Sequence, residues 1–412
     1  MNPQNDKITV IDCNNFWSSS GGGVRRYHLE KLKNFERADR FIYVFIMHDE
    51  KSYTEKLNGT TIIEHIKVPK VMGNSDYRFL LRPGPLASLF EKYRPDIVEC
   101  GSPYVLPWLI RMAARKLKKK PLLTAFWHAD FPVTYVERIL GKKKPALGNI
   151  MGKLAWRYAS LNFKTFDAIF VSSEAIARRM SERGLPKLCH APLGIDTRMF
   201  NVSKRDETKV SELKSGEPER LTVFFPHRFC EEKGLRTLLE AWPKVIACLP
   251  VEPAIVFAGT GPDLDRVKEA VKIYKHTRYI GFITDQTEIA AWYASCDLGL
   301  VLSGWETFGL SLLEALSSGQ LLITANIGAA AEHMQNAGAG ITIPTNNAEA
   351  LAEAILKIAA DRGDKYRGKS LEYVEKFTWD NCFENLRKFY SLLVDNKQKG
   401  VSLTRSFTQI DA

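Results

Sequence analysis

The segment WETFGLSLLEALSSG (305–319) carries two glutamates eight positions apart, Glu306 before a predicted helix and Glu314 within it. A strand end followed by a glutamate and then Phe308, Gly309 and Leu310 at a helix N-terminus offers backbone N–H groups to an anion, and the helix dipole adds to the attraction. At a 1.5 Å rise, eight residues span at most about 12 Å, so the two carboxylates can bracket a nucleotide sugar, one near the hexose and one near the ribose. Ionised carboxylates suit that task because their oxygens accept charge-assisted hydrogen bonds from sugar hydroxyls. Read alone, such a pair decorates a surface helix. A second segment changes the weight: PHRFCEEKG (226–234) follows a predicted strand and places Arg228 and Lys233 in one loop. A rigid guanidinium fork beside a compact ammonium matches a diphosphate whose charge grows as it leaves.

Two further places offer chemistry. Gly21, Gly22 and Gly23 lie between the first predicted strand and the first predicted helix, where missing side chains let the backbone approach a ligand. FWHADFP (126–132) ends another strand, and a histidine there, His128, faces the crevice where parallel sheets bind ligands. Neighbouring Asp130 is a second candidate. Asp263-Leu264-Asp265 spells a metal-binding DxD, but it follows GTGP and opens a helix, where acids suit the first turn. Neither GGGVRR nor GTGPDL completes the GxGxxG of a dinucleotide site.

Arg228-x4-Lys233-Gly234, the GTGP turn at 259–262, YIGF at 279–282, and Glu306-x-Phe308-Gly309 through Glu314-Ala315 with a following Gly319 resemble the retaining glycosyltransferases of family GT4. The resemblance implies a GT-B fold, an α/β architecture of two Rossmann-like parallel-sheet domains facing across a cleft. It implies a nucleotide-sugar donor held mainly by the C-terminal half and an acceptor held mainly by the N-terminal half. Carried over, Arg228 and Lys233 bind the donor diphosphate, Glu314 the ribose and Glu306 the transferred sugar, with Gly281 and Phe282 flanking the base. Gly22 and Gly23 approach the donor, His128 contacts the transferred sugar, and Asp130 lies on the acceptor side. His128, Glu306, Arg228 and Lys233 form the implied catalytic set. The implied reaction is a front-face displacement in which the leaving diphosphate helps deprotonate the acceptor, with no cofactor and no metal. His227 departs from the family, which more often has glycine before the arginine.

The elements that must position these residues alternate along the chain. Strands are predicted at 8–15, 41–47, 61–68, 96–100, 121–128 and 167–173, separated by helical stretches, and the pattern restarts at 221–228 and runs through 254–259, 278–282, 298–303, 321–325 and 340–344. Such alternation implies βαβ units and parallel sheets. The expected organisation is an acceptor domain over 1–200, a linker over 201–219 and a nucleotide-sugar domain over 220–378. A helix over 379–396 is expected to pack back toward the N-terminal domain, and 397–412 to form a flexible tail.

The 412 residues are 45% hydrophobic and 25% charged, an ordinary globular composition. The best apolar runs, 41–47 and 104–110, fall well short of the roughly 18 residues that span a bilayer. No export signal is evident at the start, so a cytoplasmic location is expected. The seven cysteines are scattered without a CxxC pair and read as small core residues, and the eight histidines show no HExxH, so neither disulfides nor a metal is expected. The net charge of +11 is concentrated in 101–200, with 18 basic against 6 acidic residues. With Trp108, Trp127, Trp156 and Tyr158 interleaved, residues 111–164 suit an anionic membrane surface, possible docking on the inner leaflet and a lipid-linked or glycan acceptor. Nucleic acid is not expected as a partner. A soluble acceptor, or a non-catalytic sugar-nucleotide-binding scaffold, is the alternative.

Overall fold

The computed structural model describes residues 7–17, 22–70, 77–137, 144–361 and 364–400. Gly21, Lys142, Lys143 and residues 401–412 of the expected tail lie outside them. The chain divides into two compact units, one of residues 1–193 with 379–412 and one of residues 194–378.

In the first unit β1 (Ile8–Cys13), β2 (Phe41–Asp49), β3 (Tyr53–Lys56), β4 (Thr61–Lys67), β5 (Ile97–Cys100), β6 (Leu122–Phe126), β7 (Ala168–Val171) and β8 (Leu188–His190) form one sheet. Their order is β3-β4-β2-β1-β5-β6-β7-β8, with only β3 antiparallel to its neighbour. Strand β1 pairs with β2 on one side, Ile8 opposite Phe41, and with β5 on the other, Val10 opposite Ile97. Strand order therefore reverses beside β1, the switch point beyond whose carboxyl end ligands bind in such sheets. The apolar strand runs are buried on both faces, as helix-covered parallel sheets require.

The second unit is a wholly parallel sheet of β9 (Thr222–Pro226), β10 (Ala254–Ala258), β11 (Thr277–Tyr279), β12 (Leu298–Val301), β13 (Leu321–Ala325) and β14 (Gly340–Ile343). The order β11-β10-β9-β12-β13-β14 places its switch point between β9 and β12. Val223, Phe225, Leu300 and Ile323 meet Leu238 and Trp242 of the helix Leu235–Cys248 and Ile355 of the helix Ala348–Asp361 in its core.

Several local expectations are corrected. Residues 201–219, read as a linker from their polarity, contain the helix Glu207–Lys214, capped by Asp206 and held by buried Val210 and Leu213. They belong to the second unit: Lys214 Nζ lies 2.9 Å from Asp297 Oδ2. Trp127 and Trp156, read as part of a membrane-facing set, are buried and stacked with centroids 6.1 Å apart. Cys248, read as a core residue, is exposed. The exposed edge strand β3 and the short β8 lacked the apolar runs that mark the other strands.

Among the described residues, the core of the first unit holds a fully buried cation. Lys31, on the helix Gly23–Phe35, donates to Asp12 Oδ2 of β1 at 2.7 Å, Glu99 Oε1 of β5 at 2.6 Å and the Tyr390 hydroxyl at 3.0 Å. Tyr390, on the helix Trp379–Gln398, donates to Glu99 Oε2 at 2.6 Å, and Tyr43 donates to Asp12 Oδ2 at 2.8 Å. All three ammonium protons are thereby used. Burial resists charge on Asp12, but Lys31 outweighs it and holds that carboxyl low. Burial wins at Glu99 and raises its pKa against the pull of Lys31. Burial also opposes the charge on Lys31, yet Asp12 and Glu99 raise its pKa.

Removing one partner from such a group leaves an uncompensated buried charge. Lys31→Met is expected to cost the first unit about 3–5 kcal/mol, and Tyr390→Phe a smaller ~1–3 kcal/mol, read as shifts of urea midpoints. Unchanged midpoints would contradict this account.

Burial drives His28 and His48 to pKa values of about 4, against 6.5 in the unfolded chain. Both are neutral in the fold, so the unfolded state binds more protons between pH 6.5 and 4. Stability present above pH 6.5 is lost as pH falls through that window, by about 3 kcal/mol per histidine at its lower end. Tm measured from pH 7 to 4.5 should decline, and His28→Gln should flatten the decline. A level profile would refute the assignment.

Candidate active site

The second unit gathers its candidate residues along the carboxyl edge of its sheet. After β9, His227 turns inward and its Nε2–H donates to the Leu300 carbonyl of β12 at 2.7 Å. A carbonyl only accepts, so Nε2 carries the hydrogen; burial, and then Lys233, lower its pKa to about 4, which leaves the ring neutral at pH 7. This histidine replaces the family glycine by tying the two strands that flank the switch point.

The GTGP turn lies against this loop. Phe229 N–H donates to Thr260 O at 3.0 Å, Asp263 N–H to Phe229 O at 3.0 Å, and Gly259 N–H to Gly281 O at 2.7 Å. Gly259 has φ +142°, and a Cβ there would stand 2.1 Å from the His227 carbonyl oxygen. The structure thus joins the ends of β9, β10 and β11 backbone to backbone.

A 3-10 turn, Glu231–Lys233, leads into Gly234 at φ +76°, where an added Cβ would meet Leu302 Cβ at 2.5 Å. This close approach aims Lys233 at the loop that follows β12, where Nζ forms an ion pair with Glu306 Oε1. Burial opposes both charges, but each partner outweighs it: Lys233 is raised and Glu306 lowered. The two side chains remain 25% and 17% exposed. Arg228, on the same loop, is exposed.

Beyond Glu306, Phe308 is buried, with its ring 4.9 Å from His333 and 5.9 Å from Phe377. It anchors the entry to the helix Leu310–Ser317, whose cap is Gly309 at φ +95°. The first amides of that helix, Leu310 among them, have no carbonyl a turn earlier to bond. Glu314 lies buried on the helix. Gly281, at φ +82°, precedes Phe282, which stands 65% exposed past β11.

This arrangement has a definite chemical capacity. Lys233 is already paired, so an arriving diphosphate competes with Glu306 for the ammonium, and the released carboxylate can accept from a sugar hydroxyl. Arg228 adds an uncrowded guanidinium, and the helix entry adds amides.

Gly22, His128 and Asp130 belong to the first unit. Gly22 caps the helix Gly23–Phe35 at φ −83° and ψ −123°, outside the α and β regions, and among the described residues nothing lies within 4 Å of a Cβ added there. The His128 ring stacks on Phe126 at 4.6 Å and meets the edges of Tyr27 at 4.8 Å and His28 at 5.6 Å. Burial, and then His28, push its pKa well below the usual value, so it serves as a neutral hydrogen-bonding group. Asp130 is buried and its Oδ2 is engaged by Arg179; burial raises its pKa although Arg179 opposes. Its observed partner is therefore within the unit. Asp263 stands at a helix N-cap, as expected, but its side chain makes no cap bond and lies 3.7 Å from Arg266 instead.

Sequence reading missed His28, which links His128 to the buried charges. Its Nδ1 lies 3.6 Å from Asp12 Oδ2, and Asn14 Nδ2–H donates to its Nε2 at 2.7 Å. The available signal was an acid inside each of two apolar strands, Asp12 in ITVIDC and Glu99 in IVEC.

Gly259→Ala should lower Tm and weaken nucleotide binding together, with a cost of about 1–3 kcal/mol from strain at this φ before the steric overlap is added. Thermal shift with UDP and GDP checks this, and a variant of wild-type stability and affinity would contradict it.

Two family models match the chain: Glycosyltransferase Family 4 over residues 21–198 and Glycosyl transferases group 1 over residues 206–376. A phosphatidyl-myo-inositol mannosyltransferase of Mycolicibacterium smegmatis is 28% identical over 175 residues, 42% of this chain and 45% of its own length. The chain thus spans about half the length of that relative. A GDP-mannose-dependent alpha-(1-6)-phosphatidylinositol dimannoside mannosyltransferase of Mycobacterium tuberculosis is 24% identical over 389 residues, 91% of this chain and 94% of its own length. Among solved structures, HepE of Anabaena in complex with UDP-glucose superposes with a TM-score of 0.66 at 16% identity, covering 93% of this chain and 100% of that one. Two parallel-sheet α/β units, together with matches in both halves, show that the chain belongs to the GT4 family of glycosyltransferases and has the GT-B fold.

Proposed function

We propose that the protein transfers a hexose, with retention of anomeric configuration, from a UDP- or GDP-linked sugar to a lipid-linked acceptor in glycolipid or surface polysaccharide synthesis. The observation that carries this reading is the largely buried but still solvent-accessible Lys233–Glu306 pair at the switch point of the second unit. Arg228, Lys233 and the amides at 308–310 meet the diphosphate and stabilise the charge that grows on it, the task otherwise done by a divalent ion. Glu306 and Glu314 hold the sugar and ribose hydroxyls. Neutral His128 orients the transferred sugar, and the leaving phosphate oxygen takes the acceptor proton. The glycolipid names of the two mannosyltransferases support the lipid acceptor, and the names GDP-mannose and UDP-glucose among the relatives support the two donors.

The test is turnover of purified protein with GDP-mannose and UDP-glucose in the presence of EDTA, using lipid extract as acceptor and reading the product anomer by NMR. Transfer with retention is expected. Lys233→Ala and Glu306→Gln should each lower kcat by about 100-fold or more with circular dichroism unchanged. Near-wild-type rates in both variants would remove the site assignment. Nucleotide binding without transfer or hydrolysis of any donor would replace the enzyme reading with that of a scaffold.

A further inference from the structure

The helix Pro145–Phe163 is apolar on two faces, and only one of them is used by the fold. Trp156, Ala159 and Phe163 are buried in the first unit. On the other side Leu147, Ile150, Met151, Leu154, Tyr158 and Leu161 are all exposed, Ile150 at 58%, Leu154 at 53% and Leu161 at 63%. At ~100° of rotation per residue these six fall within an arc of about 100°. They form one continuous stripe 19 residues long at most.

The stripe continues onto the neighbouring helix Leu106–Ala114, where Trp108 and Met112 are 55% and 44% exposed. The two helices are held side by side: Arg111 donates to Asn162 Oδ1 at 2.9 Å and Tyr158 to the Tyr104 carbonyl at 2.6 Å. Basic residues edge the stripe. Lys153, Arg157 and Lys164 are exposed along one border and Lys144 stands on the other. Residues 138–166 contain no Asp or Glu, and the nearest preceding acid, Glu137, has its side chain against Gly152.

We propose that this face is an interfacial docking surface for an anionic lipid bilayer, with the helix Pro145–Phe163 lying in the membrane plane. Its six apolar side chains enter the acyl boundary while Lys153, Arg157 and Lys164 reach the headgroups. The helix does not span, because its opposite face is fixed in the core by Trp156 and Phe163. A second copy of this chain fits less well: a self-complementary interface would bring each basic border near its own counterpart. The inference deepens the lipid-acceptor reading, on which its biological use rests, and names the element that delivers the enzyme to its acceptor.

Flotation of the full chain with vesicles of phosphatidylglycerol and phosphatidylcholine tests it. Binding is expected to anionic vesicles, to weaken with salt, and to be at least tenfold weaker on pure phosphatidylcholine. Leu154→Asp/Leu161→Asp should abolish flotation at every salt concentration, and Lys153→Glu/Arg157→Glu should lower it roughly tenfold or more, with thermal stability and nucleotide-induced thermal shift kept in both. No binding to anionic vesicles at low salt, or flotation unaffected by the double Asp variant, overturns the proposal. So does a concentration-dependent dimer that the double Asp variant dissolves. Docking without transfer to lipid would leave this surface standing and remove the lipid acceptor. Transfer to detergent-dispersed lipid without vesicle binding would do the reverse.

Discussion

An ammonium group with no access to water must have every proton bonded, and the first unit is organised around one that does. Lys31 joins Asp12 on β1 to Glu99 on β5, the two strands on either side of the switch point, and recruits Tyr390 from the C-terminal helix. Since the charge tolerates no missing partner, strand order, helix placement and the return of the chain terminus into this unit are specified together. The same carboxylate, Asp12, faces His28, whose ring lies beside His128. A histidine at the rim of the sheet thus takes its neutral state from its buried surroundings.

The second unit uses charge in the opposite way. Its Lys233–Glu306 pair sits at the carboxyl edge, partly exposed, and has one partner on each side where Lys31 has three. A pair of that kind is exchangeable: an anion can take the lysine and a hydroxyl the glutamate at little desolvation cost. What holds it in place is backbone geometry. Left-handed glycines at 234 and 309, and Gly259 at φ +142°, let loops approach to distances at which a Cβ would overlap or strain. His227, bonded to Leu300, locks the remaining freedom.

Charge and apolar surface outside these sites are also unevenly spread. The basic excess of residues 101–200 coincides with the helix whose outward side is aliphatic, and a helix apolar on both sides belongs between two apolar media. One medium is the core containing Trp127 and Trp156. Aromatic content pointed at Trp108, Trp127, Trp156 and Tyr158; exposure keeps Trp108 and Tyr158 on the outward side, removes the other two and adds Leu154 and Leu161.

The parallel α/β architecture was legible in the sequence because period and composition act locally: short β-branched and aromatic runs such as VFF and IVF, bounded by turn residues and alternating with helical stretches, fit strands buried on both faces, and the glycines mark where loops must close tightly. The Arg228, Lys233 and Glu306 positions pointed to one edge of the sheet for the same reason, since each follows a strand end. Polar 201–219 was misread because two buried residues, Val210 and Leu213, suffice to seat a short helix. Lys31 was invisible because its partners stand 19, 68 and 359 positions away. Local pattern determined the strands, helices and turns; only the tertiary structure decided which charges were buried, which were left exchangeable and which apolar side chains faced outward, because burial depends on neighbours that the chain brings together from far apart.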